Sequence, residues 1–176
     1  MLQRTKADQV EPVYKKFLRQ YPTIKHLATG KSKSISKYTN SLGLHGRYKK
    51  FLDASKFIIK ELGGKFPKTQ QELRIIPGVG EYIAGAIAAV CFNKADYVID
   101  SNIARFINRY HNLELSGEIR RKKIIIEKAK KLFNVKDQKI FLFTLLDFTA
   151  IICKPTNPKC KICILVKNCR YSKKYY

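Results

Sequence analysis

The sequence predicts an all-α fold, and three observations predict it. Apolar residues recur three and four positions apart along most of the chain, the spacing that lays a stripe down one side of a helix. Starting and stopping residues punctuate that pattern: Thr23, Thr69 and Asp100 stand before periodic runs, and Gly63-Gly64 and Pro77 stand after them. The only strand-like piece, Tyr97–Ile99, is too short to found a sheet.

The elements follow in order. From Val10 to Tyr21 the residues Val10, Val13, Tyr14, Phe17, Leu18 and Tyr21 share one helical face, with Pro12 near the start. Thr23 caps a short helix through Leu27, and a polar helix runs from Ser32 to about Ser41. A glycine-rich turn at GLHGR opens the next helix, which carries Phe51, Ala54, Ser55, Ile58 and Leu62 on one face. Thr69 caps QQELRII, stopped by Pro77; a longer helix runs from Glu81 to Phe92. Another starts near Asp100 with Ile103, Phe106, Ile107 and Tyr110 inward, and Glu118–Phe133 and Asp137–Ile152 complete the set.

Charge narrows the function. Thirty-six Lys and Arg against 13 Asp and Glu leave a formal +23 in 176 residues. That excess repels itself in a compact chain, so either a polyanion neutralises it or it forms a solvated lysine surface. The N-terminus MLQRTKADQVEP lacks the apolar core of a secretory signal, and the stretch Ile83–Phe92 is too short to span a bilayer. These features predict a cytoplasmic protein with no membrane partner, in which cysteines serve as ligands or core residues before disulfides.

Three constellations carry chemistry. In LRIIPGVGEYIAGAIAAV two helices meet at PGVG, where Gly78, Val79 and Gly80 permit a tight turn with exposed amides. Those amides and the first turn after them suit one phosphate, a contact that positions a protein on DNA without reading sequence; an ordinary αα-hairpin is the alternative. Twenty residues after Gly80 comes VIDSNIARFINR, with Asp100 opening a helix behind apolar residues. It can cap that helix through the Ile103 amide, stabilise positive charge on a sugar, or do both.

Cys153, Cys160, Cys163 and Cys169 form C-x6-C-x2-C-x5-C. Four thiolates so close fit one metal centre, either an iron–sulfur cluster or zinc, with disulfides disfavoured inside a cell. Lys154, Lys159, Lys161 and Lys167 interleave with them as a positive platform. Cys91, outside the pattern, reads as a core cysteine; His26 and His111 read as surface residues.

Together the hairpin, the aspartate at this spacing and NIARFINR resemble the helix–hairpin–helix base-excision DNA glycosylase superfamily, which includes endonuclease III and the MutY-type adenine glycosylases. The cysteine spacing matches the iron–sulfur loop of that family. The resemblance covers nearly the whole chain and implies two helical lobes: 5–116 with the hairpin near 69–92, and 1–4 with 117–176 bearing the loop 153–169. It implies a [4Fe–4S] cluster on Cys153, Cys160, Cys163 and Cys169, a monovalent cation at the hairpin phosphate site, a double-stranded DNA partner and a monomeric state. A lysine at the position of Tyr82 makes the lyase branch of the family; a tyrosine cannot form an imine. GVGEYIAGAI with IDSN looks most like the archaeal thymine-DNA glycosylases, where this tyrosine and aspartate are both needed.

The resemblance thus implies a monofunctional glycosylase removing thymine, and uracil, opposite guanine, with Asp100 and Tyr82 catalytic. Tyr82 as a packed helix aromatic is the alternative. Relatives flip the target base and fill the gap, which puts Gln3 and Arg4 at the gap, Leu44 as a wedge and His45 at a phosphate. Two other functions stay open: an adenine glycosylase acting opposite guanine or 8-oxoguanine, and a non-catalytic iron–sulfur DNA-binding paralogue. The match also sets Met1 inside a helix of the relatives, so a late start or a shortened form is expected. No residue stands where MutY-type enzymes carry an upstream glutamate, and the chain ends just after the cysteines.

Overall fold

The computed structural model describes residues 5–175; Gln3 and Arg4 lie outside the described residues. Among these residues there is no strand, and the all-α expectation holds. Among the described residues ten α-helices follow one another: α1 Ala7–Gln20, α2 Ile24–Ala28, α3 Ser32–Asn40, α4 Arg47–Glu61, α5 Gln70–Leu73, α6 Glu81–Ile87, α7 Ser101–Tyr110, α8 Lys123–Leu132, α9 Gln138–Ile151 and α10 Arg170–Tyr175. None is long and apolar enough to cross a membrane.

The chain divides into two compact units. One runs to Pro67 and includes Glu72–Val79; the other holds Lys68–Gln71 and the chain from Gly80 onward. Within the second unit the apolar face of α7 packs against α8 and α9. Phe106 meets Phe148 edge to face with ring centroids 5.4 Å apart, and Ile103, Ala104 and Ile107 are fully enclosed.

In the first unit Phe17, Tyr21, Ile35 and Leu52 form a buried cluster, onto which Leu27, Tyr38, Tyr48 and Phe51 pack. The helical stripe of α1 is narrower than its sequence suggests. Phe17 and Tyr21 point inward, while Tyr14 and Leu18 remain exposed because one neighbouring layer can cover only part of an apolar face. Thr23 caps α2 as expected, accepting from the His26 amide.

Three elements depart from the expected helices. The α5 helix ends at Leu73, and Arg74–Ile76 form turns, because the residue before Pro77 is driven out of helical geometry. The expected helix 118–133 is broken: Ile119–Arg121 make a single tight turn, Lys122 is extended at ψ 132°, and α8 begins at Lys123. Glu118 caps the tight turn and pairs with Arg120, a local bond that competes with the helix ladder. Beyond Ile87, α6 widens into a π-helical turn, Ala88–Phe92, stopped by Asn93 in left-handed geometry. The wider turn re-aims its last residues, and Cys91, expected in the core, is exposed.

Candidate active site and cysteine cavity

Asp100 is built into the second unit by its own helix. Its Oδ1 accepts from the Ile103 amide at 2.7 Å, capping α7, and its Oδ2 accepts from Asn102 Nδ2 at 3.3 Å. Both oxygens are therefore oriented, and the side chain keeps partial access to solvent. Tyr82 stands in the first turn of α6, 40% exposed. Burial, and then the charge of nearby Asp100, push its phenol above the ordinary tyrosine range. The structure thus brings Tyr82 and Asp100 into one electrostatic neighbourhood.

Asp100 also heads a relay toward the cysteines. Asn102 Oδ1 accepts from Arg105 Nη1 at 2.7 Å, and Arg105 Nη2 donates to the carbonyls of Thr149 and Cys153, both at 2.8 Å. Arg109, one turn on, donates to the carbonyls of Lys154 at 2.6 Å and Pro155 at 2.8 Å and lies over the Tyr171 ring. Burial lowers the Arg105 guanidinium, partly offset by the charges of Cys153 and Asp100. Sequence reasoning missed these two arginines as site residues, although their four-residue spacing puts them on one side of α7.

At the hairpin, Gly78 has φ +79°, a conformation that L side chains rarely adopt, and a Cβ there would meet Lys50 Cβ at 3.2 Å. Gly80 is extended and precedes α6 without a side-chain cap. The Val79 amide, expected among the exposed donors, is instead spent on the Ile76 carbonyl at 3.0 Å. The turn closes on itself at that residue, because a tight turn satisfies its own inner amide. Leu44 is half-buried in the turn before α4 and His45 beside it is exposed, both in the first unit. His111, expected at the surface, is half-buried; burial, then Lys128 and Arg170, push its imidazole down.

Cys153, Cys160, Cys163 and Cys169 all line one small cavity. Phe106, Phe148, Ile152 and Leu165 help wall it, and among the described residues that line it there is no carboxylate or imidazole. An all-sulfur donor set in an apolar wall fits an iron–sulfur cluster or zinc by its chemistry. Among the described residues, no three His, Cys, Asp or Glu side chains are drawn together as a metal site. Burial, then neighbouring Cys169, Cys153 and Cys163, push the Cys160 thiol up, the repulsion expected of thiolates that share a space.

A helical hairpin, an aspartate capping the helix beyond it and a four-cysteine cavity define a known class. The chain belongs to the HhH-GPD superfamily of base excision DNA repair proteins, whose family model matches residues 1–134. It is similar to a thymine/uracil-DNA glycosylase of Methanothermobacter thermautotrophicus, 31% identical over 175 residues that cover 99% of this chain and 79% of that protein. An adenine DNA glycosylase of Buchnera aphidicola is 31% identical over 170 residues, covering 97% of this chain but only 48% of its own length. Among solved structures, a thermostable thymine-DNA glycosylase matches with a TM-score of 0.89 at 30% identity, covering 98% of this chain and 80% of that one.

Proposed function

We propose that the chain is a monofunctional DNA glycosylase that removes thymine, and uracil, opposite guanine. The observation that carries this reading is Asp100 itself, its carboxylate oriented by the Ile103 amide and Asn102 and near enough to Tyr82 for its charge to push that phenol up. Breaking the bond between base and sugar builds positive charge on the deoxyribose, and a fixed carboxylate at Asp100 stabilises that charge or directs the water that quenches it. Tyr82 positions the flipped nucleotide. With no lysine in its place, no imine forms there and the strand is not nicked.

The +23 charge supports a duplex DNA partner. A backbone phosphate would meet Gly80 and the first turn of α6, with Gly78 shaping the approach, since Val79 has no amide to give; a monovalent cation would share that site. Leu44 and His45 are proposed to meet the duplex, and Gln3 and Arg4 the gap left by the flipped base. Cys153, Cys160, Cys163 and Cys169 would hold a [4Fe–4S] cluster. Such a cluster supplies the loop with a rigid, charged centre, and the exposed Lys159, Lys161 and Lys167 turn that loop into a phosphate-facing platform. The chemistry of the sugar stays with Asp100.

Incubating the purified protein with G·T, G·U, A·8-oxoguanine and thymine-glycol duplexes, then treating with alkali, tests the reading. Alkali-labile strands from G·T and G·U are expected. Product only from A·8-oxoguanine would instead follow the similarity to adenine glycosylases. No product from any duplex, with iron and sulfide bound, would sink the enzyme reading and leave a DNA-binding protein.

A further inference from the structure

We propose that Gln70, the first residue of α5, is a positioning residue for Asp100, a role that rests on the glycosylase reading above. Gln70 is 3% exposed, and its side chain does two unequal things. Its Oε1 accepts from two successive backbone amides, Asp96 at 3.0 Å and Tyr97 at 3.2 Å. Its Nε2 is buried with no hydrogen-bond partner. A buried amide nitrogen without an acceptor is a standing cost, so the side chain is accounted for by its oxygen.

That oxygen fastens the extended segment that leads into Asp100. The segment is also held by α6. A Cβ at Gly85 would lie 2.4 Å from the Tyr97 carbonyl oxygen, so the helix backbone and the segment touch where only glycine fits. Tyr97 in turn donates its hydroxyl to Glu81 Oε2 at 3.0 Å, in the same turn of α6 that carries Tyr82. Val98 and Ile99 then run buried to Asp100. The helix before the hairpin thus holds, through one carbonyl oxygen, the chain that sets the distance between Tyr82 and Asp100. Charge stabilisation depends steeply on that distance, and small displacements of a reacting group are costly.

The test compares Gln70→Met with Gln70→Glu in the full-length protein. Methionine keeps the volume and removes the acceptor, orphaning the amides of Asp96 and Tyr97; glutamate keeps an acceptor for both. Three readouts are taken: hydrogen exchange at those two amides, the single-turnover rate on a G·T duplex, and affinity for a duplex carrying a stable abasic analogue. With Gln70→Met, faster exchange at Asp96 and Tyr97 and a rate loss of about tenfold are expected, with affinity within about twofold of the parent. Gln70→Glu is expected to restore protection and most of the rate. An unchanged rate in Gln70→Met, or equal losses of rate and affinity that glutamate does not rescue, would overturn the proposal. If the parent protein excises no base, the glycosylase reading fails by itself. The clamp is then judged on exchange: unchanged protection in Gln70→Met overturns it, and lost protection rescued by Gln70→Glu upholds it.

Discussion

Two stretches of the second unit are held in opposite ways. The segment 93–100 is tied to residues far away in sequence, through its own Asn93 side chain and through the side chains of Gln138 and Gln70. Asn93 Nδ2 donates to the Lys136 carbonyl, and Asn93 Oδ1 accepts from the Gln138 amide, both at 2.8 Å. Gln138 accepts from the Ala95 amide at 2.7 Å and donates back to the Ala95 carbonyl at 2.8 Å, while Gln70 takes the next two amides. The cysteine loop, by contrast, closes mostly on itself. Cys163 donates to the Cys160 carbonyl, Val166 to that of Cys163, and Cys169 to that of Val166. Its outside ties come at its start, where Arg105 and Arg109 grip the carbonyls of Cys153, Lys154 and Pro155. The difference teaches that the aspartate corner is preorganised by ordinary polypeptide chemistry, whereas the loop is a string of short turns whose sulfurs face one space.

The comparison breaks first at its active end. Asp100→Asn keeps a side chain that can still cap α7 and removes the charge. A loss of about 10²–10³ in single-turnover excision is expected, with affinity for abasic-analogue DNA kept, because charge stabilisation acts only as the bond breaks. A rate within threefold of the parent would remove Asp100 from the chemistry.

At the loop, Cys160→Ser is expected to lose the iron and sulfide measured in the purified protein and the visible thiolate–iron absorbance. DNA affinity should fall about tenfold, with a shallower salt dependence, as the lysine platform loosens. A variant that keeps full iron content and affinity would mean that the loop is held as the 93–100 segment is, by protein contacts alone.

The smallest expected effect sharpens the contrast between two glutamines. Gln138→Met should lower the unfolding free energy by about 2–3 kcal/mol, since the amide and carbonyl of Ala95 lose their partner inside the protein. Below the melting transition its excision rate should stay near that of the parent, because residues 96 and 97 remain held by Gln70. A rate loss matching that of Gln70→Met would make both glutamines parts of one support.

Much of this was legible in the chain before any coordinates. The cap at Asp100 was readable because an aspartate before an apolar periodic run has an amide three residues on to accept from, and it does so from Ile103. The four cysteines were readable because their spacing lies within one short stretch. Cys91, by contrast, is exposed where periodicity places it inward, because the regular helix gives way there to a π-helical turn. The Val79 amide was misread because a turn's inner hydrogen bond does not show in the letters PGVG.

By itself, the sequence determined the helices, the hairpin glycines, the charge and the identity of the sulfur donors, all of which depend on neighbours within a few residues. Only the tertiary structure decided which glutamines matter. Gln70 lies 26 residues from Asp96, Gln138 lies 43 from Ala95, and Arg105 lies 48 from Cys153. No local periodicity encodes such pairs. A polar side chain acquires its partner only when packing has excluded water from both, and at that point the carbonyl or amide it finds becomes costly to leave unmatched.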